Sequence, residues 1–187
     1  MRPSPAVFWF DAHADFNTPE TSVSGFLDGM SLATLTGRCW PELAASISGF
    51  TPVAEETVAL VGARDLDAAE AIALAASKVR RVGIEDLRRD LPPTLAAPPR
   101  GRSTAYVHLD LDVLDPGEGI VNSYAAPGGL GRADVEWAMA RIAEALRVEA
   151  GSLTALDPKS DPTGRACEAA LALAVALVDA VSRQRPS

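Results

Sequence analysis

Two acidic clusters, Asp11-Ala12-His13-Ala14-Asp15 and Asp110-Leu111-Asp112, each close a short apolar run. Val7-Phe8-Trp9-Phe10 precedes the first, and Ala105-Tyr106-Val107-His108-Leu109 precedes the second. Apolar runs of this length read as buried strands. Residues at i, i+2 and i+4 of an extended segment share a face. Persistent extension would therefore bring Asp11, His13 and Asp15 together, and Asp110 together with Asp112. Four carboxylates around an imidazole repel one another unless a cation sits among them. An oxygen-rich set with some imidazole suits Mn²⁺, Mg²⁺ or Fe²⁺ better than a metal that seeks thiolates.

Five segments carry strand character: 6–11, 57–61, 78–84, 105–112 and 152–156. Helical spacing opens at 29–35, runs through 66–76, and is clearest over 132–149, where Val135, Met139, Ile142 and Leu146 form one stripe. A long, mostly apolar helix, expected to be well buried, closes the chain at 167–181. Strands alternating with helices predict an α/β fold: a three-layer α/β/α arrangement around a mostly parallel sheet of about five strands. Ligands of such sheets gather at the carboxyl ends of the strands, where both acidic clusters fall. The Pro- and Arg-containing stretch 88–102 reads as an exposed connection. No internal repeat and no second domain emerge, so residues 1–187 are expected to form one domain.

At 187 residues and 48% hydrophobic, the chain can build a sizeable core. A net charge of −8 argues against electrostatic binding to nucleic acid or to an anionic membrane surface. Cys39 and Cys167 stand far apart in no metal-binding spacing and read as two buried thiols. Trp9, Trp40 and Trp137 read as packing residues. Neither a signal-peptide pattern nor a membrane-spanning apolar run is present, so a cytoplasmic location is expected.

With these residues laid out, the chain resembles the arginase/ureohydrolase family, which includes arginase, agmatinase and formimidoylglutamase. Asp11–Asp15 is similar to the family's Asp-Ala-His-x-Asp motif. Asp110-Leu111-Asp112-Val113-Leu114-Asp115-Pro116 is similar to its Asp-x-Asp-x-x-Asp-Pro motif. Asn17-Thr18-Pro19, Ser24-Gly25, Arg64-Asp65-Leu66-Asp67 and Pro127-Gly128-Gly129 resemble further family elements in the same order. The likeness runs through nearly the whole chain.

The resemblance implies a manganese-type hydrolase in which two cations polarise a water into hydroxide for attack on a planar guanidinium or amidine-like carbon. Carried over, Asp11 and Asp110 would bridge the metals, His13 and Asp112 would complete one, and Asp15 would serve the other. Asn17, Ser24 and Asp67 become candidate substrate contacts, although an N-cap explains Asp67 equally well. Asp115 and Asp28 become candidate proton acceptors, against plainer readings as a turn residue and a solvated acid. His108 shares the face of Asp110 and reads as a hydrogen-bonded or core histidine ahead of a replacement metal ligand.

Three departures accompany the likeness. The family's upstream Gly-Gly-Asp-His motif has no counterpart before Asp11. Asp28-Gly29 stands where the family has His-Gly. Ala155-Leu156-Asp157-Pro158 stands where it has Glu-x-Asn-Pro, which removes a carboxylate that would pair with a guanidinium. The expected function is hydrolysis of a C–N bond in a small guanidino or amidino molecule with one or two Mn²⁺ ions. The alternative is a catalytically impaired metal-binding or structural remnant. The resemblance further implies that the five strands order as fifth, fourth, first, second and third. An apolar edge at 152–156 would then be covered by a second copy, a rearranged helix or a partner chain.

Overall fold

The computed structural model describes residues 5–89 and 103–182. Five strands, β1 (Ala6–Phe10), β2 (Val58–Val61), β3 (Arg80–Val82), β4 (Thr104–Asp110) and β5 (Arg147–Thr154), form one sheet in the order β3-β2-β1-β4-β5. Every pairing is parallel. This is the strand order that the resemblance implies.

Alternation along β1 and β4 divides the core in two. Phe8, Phe10, Val107 and Leu109 face a layer formed by α5 (Arg132–Ala145) and α6 (Arg165–Ser182). Val7 and Trp9 face the opposite layer, with Phe16, Met30, Leu32 and Leu74. That layer includes α1 (Ser31–Leu35) and α3 (Ala68–Ala75). Two further short helices, α2 (Pro41–Ala45) and α4 (Ile84–Arg89), complete the described α-helices. The result is the expected three-layer α/β/α architecture.

The boundaries differ from the pattern-based expectation in instructive ways. The helix expected to reach residue 149 stops at Ala145, because Leu146 turns extended (φ −138°, ψ 151°) and the chain enters β5 at once. β5 is therefore longer than 152–156, and its first five residues include Arg147, Glu149 and Gly151 rather than an apolar run. Gly151 has a steric reason to be there. A Cβ at this position would lie 2.6 Å from Leu177 Cδ1 and 2.9 Å from the Val107 carbonyl oxygen, so α6 reaches the sheet only over a glycine.

α6 itself buries the stripe Ala166, Ala169, Ala170, Leu173, Leu177 and Ala180, while Leu171, Val175 and Val178 on its other side are exposed. It is half-buried rather than enclosed. Cys167 lies on its exposed side, so only Cys39 is a buried thiol. Trp40 and Trp137 are also exposed, leaving Trp9 as the buried tryptophan. Of the expected connection 88–102, Arg88 and Arg89 lie in α4 and the remainder falls outside the described residues. No described helix is long and apolar enough to cross a membrane.

Candidate metal centre

Both acidic clusters leave the carboxyl ends of adjacent parallel strands, since β1 pairs with β4 through Phe10 and Leu109. The first cluster does not stay extended. β1 ends at Phe10, the chain bends at Ala12 and His13, and Asp15 takes a left-handed backbone conformation (φ +52°). That conformation is unusual outside glycine and is best tolerated by Asp and Asn. Asp110 ends β4, and Leu111–Val113 forms a single 3₁₀ turn. Asp11, His13, Asp15, Asp110 and Asp112 all line one cleft of about 270 Å³. Convergence thus arises from two tight turns at the strand ends rather than from strand periodicity.

Nearby donors orient the carboxylates of Asp11, Asp110 and Asp112. Asp11 Oδ1 accepts the His13 backbone N–H (2.8 Å), and Asp11 Oδ2 accepts Trp9 Nε1–H (3.2 Å). Asp112 Oδ1 accepts the Ala12 backbone N–H (3.1 Å), tying the two clusters together. Asp110 Oδ1 accepts the Asp112 backbone N–H (2.9 Å), and Asp110 Oδ2 accepts the Thr154 hydroxyl (3.2 Å). His13 Nδ1 lies 3.2 Å from Asp112 Oδ2 and 3.4 Å from Asp11 Oδ1. The ligand atoms of Asp11, His13 and Asp112 lie within 4.8 Å of one another, so these three side chains can hold a metal ion.

The electrostatics are those of crowded, desolvated charge. Burial raises Asp11, with Asp112 adding to the effect and His13 opposing it. Burial, followed by repulsion from Asp11 and Asp110, holds Asp15 well above the usual carboxylate range. Asp110 is pushed up to about 8 by burial and then by Asp11 and Asp112. For Asp112 burial acts upward, but His13 and the Ala12 N–H outweigh it, and its carboxyl stays below the ordinary value. Hydrogen bonds to Asp11 and Asp112 raise His13 to about 11. A proton on His13 therefore occupies the place that suits a divalent cation.

The other expected site residues fall into three groups. Asp28 and Ser24 are exposed and line the cleft. Asn17 and Asp67 line it too, and both are hydrogen-bonded into the scaffold. Asn17 Nδ2 donates to Asp67 Oδ2 (3.2 Å), Asn17 Oδ1 accepts the Thr21 hydroxyl (2.9 Å), and Asp67 precedes α3 as its N-cap. Asp115 is not among the residues lining the cleft, and its contacts are those of a turn residue. Its carboxylate accepts backbone N–H groups from Gly117, Gly128 and Gly129 at 2.8 to 3.1 Å, and these bonds fold its loop.

Sequence reasoning passed over Glu70, Asn122 and Tyr124, all of which line the cleft. Glu70 is buried, accepts the Phe16 N–H (2.8 Å) and reaches back to the Asp67 N–H (3.3 Å). Its signal was the Asp-x-x-Glu spacing of a helix start, Asp67 to Glu70. Asn122 and Tyr124 lie in an irregular loop with no comparable pattern. Ala155, also at the cleft, has φ +68° and offers its carbonyl to Asn122 Nδ2 (3.0 Å).

Comparison with known proteins gives a consistent result. The Arginase family model matches residues 2–179. Arginase of Bacillus caldovelox is 31% identical over 173 residues, covering 89% of this chain and 58% of that protein. The N(omega)-hydroxy-L-arginine amidinohydrolase of Streptomyces lavendulae is 34% identical over 140 residues, covering 68% of this chain and 43% of that protein. Among solved structures, the Bacillus caldovelox arginase superposes with a TM-score of 0.82 at 29% identity, covering 97% of this chain and 61% of that one. The chain spans less than two thirds of the length of these relatives.

Proposed function

The chain belongs to the arginase family, and from that premise we propose that it is a metal-dependent hydrolase of a C–N bond in a small guanidino or amidino compound. The observation that carries this reading is the convergence of Asp11, His13 and Asp112, from two strand ends, on one acidic cleft. Mn²⁺ suits that donor set, with one or two ions bound. When bound, such cations supply Lewis-acid activation of water at neutral pH.

The chain's own residues then divide the work. Asp11, His13 and Asp112 hold one cation, and Asp15 and Asp110 border a second position. Asp28, Asp65 and Asp67 give the cleft a negative rim that favours a cationic substrate. Ser24 and Asp67 contact that substrate, and Asn17 fixes the Asp67 carboxylate in place. Asp28, exposed at the mouth, accepts or returns a proton. A cytoplasmic location and association through β5 belong to the same reading. Among the described residues β5 has a strand neighbour only on its β4 side, and an apolar cavity bordered by Val7, Trp9, Tyr106 and Ala150 adjoins it.

The second reading, a metal-binding protein without turnover, is favoured by Ala155, which puts a methyl group where a guanidinium would seek a carboxylate. Metal analysis of the purified protein with and without added Mn²⁺, alongside urea release from arginine, agmatine and other guanidino compounds, separates the two. Metal-dependent urea release supports the hydrolase. Bound metal without release from any of them supports the second reading, and a protein that takes up no metal overturns both.

A further inference from the structure

The ligand atoms of Asp11, His108 and Asp110 also lie within 4.8 Å of one another, forming a second cluster that shares Asp11 with the first. We infer that His108 is a metal ligand, its Nε2 completing a second divalent-cation position with Asp11 and Asp110. This deepens the metal-centre reading above and rests on it. A first-row cation at about 2.1 Å from each donor holds neighbouring ligand atoms roughly 3 Å apart. The cluster therefore has to contract only modestly around an ion.

Three features of the surroundings favour ligation over packing. First, Ser152 lies opposite His108 in the β4–β5 register, and its Oγ is 2.8 Å from His108 Nδ1. Tyr106 donates its hydroxyl to the same Oγ at 2.9 Å. With Ser152 accepting Nδ1–H, the lone pair of the imidazole lies on Nε2. Metal-bound histidines are characteristically held in this way through the ring nitrogen that does not touch the metal. Second, Trp9 stacks on the imidazole, with ring centroids 3.7 Å apart and planes at 21°, while its own Nε1 orients Asp11. One indole thus fixes both a ring and a carboxylate of the same cluster. Third, Asp110 is oriented by the Asp112 N–H and the Thr154 hydroxyl, both outside the cluster. A ring wanted only for packing against Trp9 would be better supplied by phenylalanine, which buries no polar nitrogen.

The test is metal binding to EDTA-stripped protein, read by calorimetric titration with Mn²⁺ and by elemental analysis. His108→Phe keeps a ring against Trp9 and removes the nitrogen donors, and circular dichroism checks that it folds. Wild type is expected to bind two ions, His108→Phe one, and Ser152→Ala two with the second weakened ~10–100-fold. His13→Ala should keep the ion at His108. Pulsed EPR of the Mn²⁺-loaded wild type should show ¹⁴N couplings from two different imidazoles, a readout that does not depend on any variant folding. His108 is not a ligand if His108→Phe binds as many ions as wild type with unchanged affinity, or if a single imidazole couples. A single ion lost in His13→Ala but kept in His108→Phe overturns the inference and leaves the metal-centre reading standing. No ion in wild type overturns that reading itself.

Discussion

His13 Nδ1 lies 3.2 Å from Asp112 Oδ2, joining two strand ends that are about a hundred positions apart in sequence. The same nitrogen is 3.4 Å from Asp11 Oδ1, so one proton neutralises part of two carboxylates. This contact ties the two acidic clusters together. It also makes the proton and the cation competitors for one position.

The competition gives the metal-free protein a distinctive pH dependence. His13 is raised from 6.5 to about 11 in the folded state, so its contribution is full below pH 6.5 and is lost as pH rises through about 11. Asp110, raised from 3.8 to about 8, binds a proton more readily folded than unfolded, and stability falls as pH rises between those values. Both slopes have the same sign. Urea denaturation in EDTA should show midpoints that decline from pH 5.5 to pH 9. Asp110→Asn should flatten the part of that decline below pH 8. A midpoint that rises with pH across this range contradicts the assignment.

Adding a divalent cation should reverse the trend. Ligation requires His13 and Asp110 to lose their protons, so Mn²⁺ affinity should increase from pH 6 to pH 8.5, with protons released on binding. At 100-fold excess over Kd, one site adds ~2.7 kcal/mol. For a chain of this size that corresponds to a rise in Tm of roughly 5–10 °C. Thermal shift with and without Mn²⁺ reads this directly, and Asp11→Asn should remove most of the rise.

How much of this was legible depends on whether local pattern or tertiary context set each feature. β1 and β4 are readable because each is an apolar run closed by acids, β1 buried along its whole length and β4 buried on one face and half-buried on the other. The start of β5 is not legible because Arg147, Glu149 and Gly151 give it no apolar run, and the helical stripe that precedes it continues in the sequence pattern through 149. The ligand candidates were legible by residue type, but the mechanism of their convergence was not. The left-handed turn at Asp15 leaves no mark in composition, and it redirects the chain that periodicity would have kept straight. Asp115 is legible as a turn residue from Asp115-Pro116, but its partners Gly128 and Gly129 lie more than ten residues away and leave no local pattern. The Ser152 partner of His108 likewise comes from a different strand.

Arg64 makes a separate prediction about the frame around the centre. Its guanidinium donates to the backbone carbonyls of Asp112, Val113, Leu114, Ala126, Pro127 and Gly62 at 2.7 to 3.3 Å. One side chain thus fastens the loop after β2 to the loop after β4. Lysine cannot reproduce the fork, and methionine leaves the carbonyls without a donor. Arg64→Met should cost ~2–4 kcal/mol in chemical denaturation, with Arg64→Lys only partly restoring it. Mn²⁺ affinity should fall alongside, because the loop that carries Asp112 loses its anchor.

Asp15 should separate stability from metal binding. Its carboxyl is held well above the ordinary range by burial and by repulsion from Asp11 and Asp110, so its charge opposes folding at neutral pH. Its backbone, at φ +52°, accepts Asn as readily as Asp but penalises Ala. Asp15→Asn should therefore stabilise the metal-free protein by ~1 kcal/mol. Asp15→Ala should lie ~1 kcal/mol below Asp15→Asn, because it lacks the short polar side chain that supports the left-handed turn. Both variants should bind Mn²⁺ at least ~10-fold more weakly, since each removes an anionic oxygen from the cleft. The pair is measured by urea denaturation in EDTA and by calorimetric titration. If Asp15→Asn leaves Mn²⁺ affinity unchanged, Asp15 is an acid of the turn and not of the metal centre.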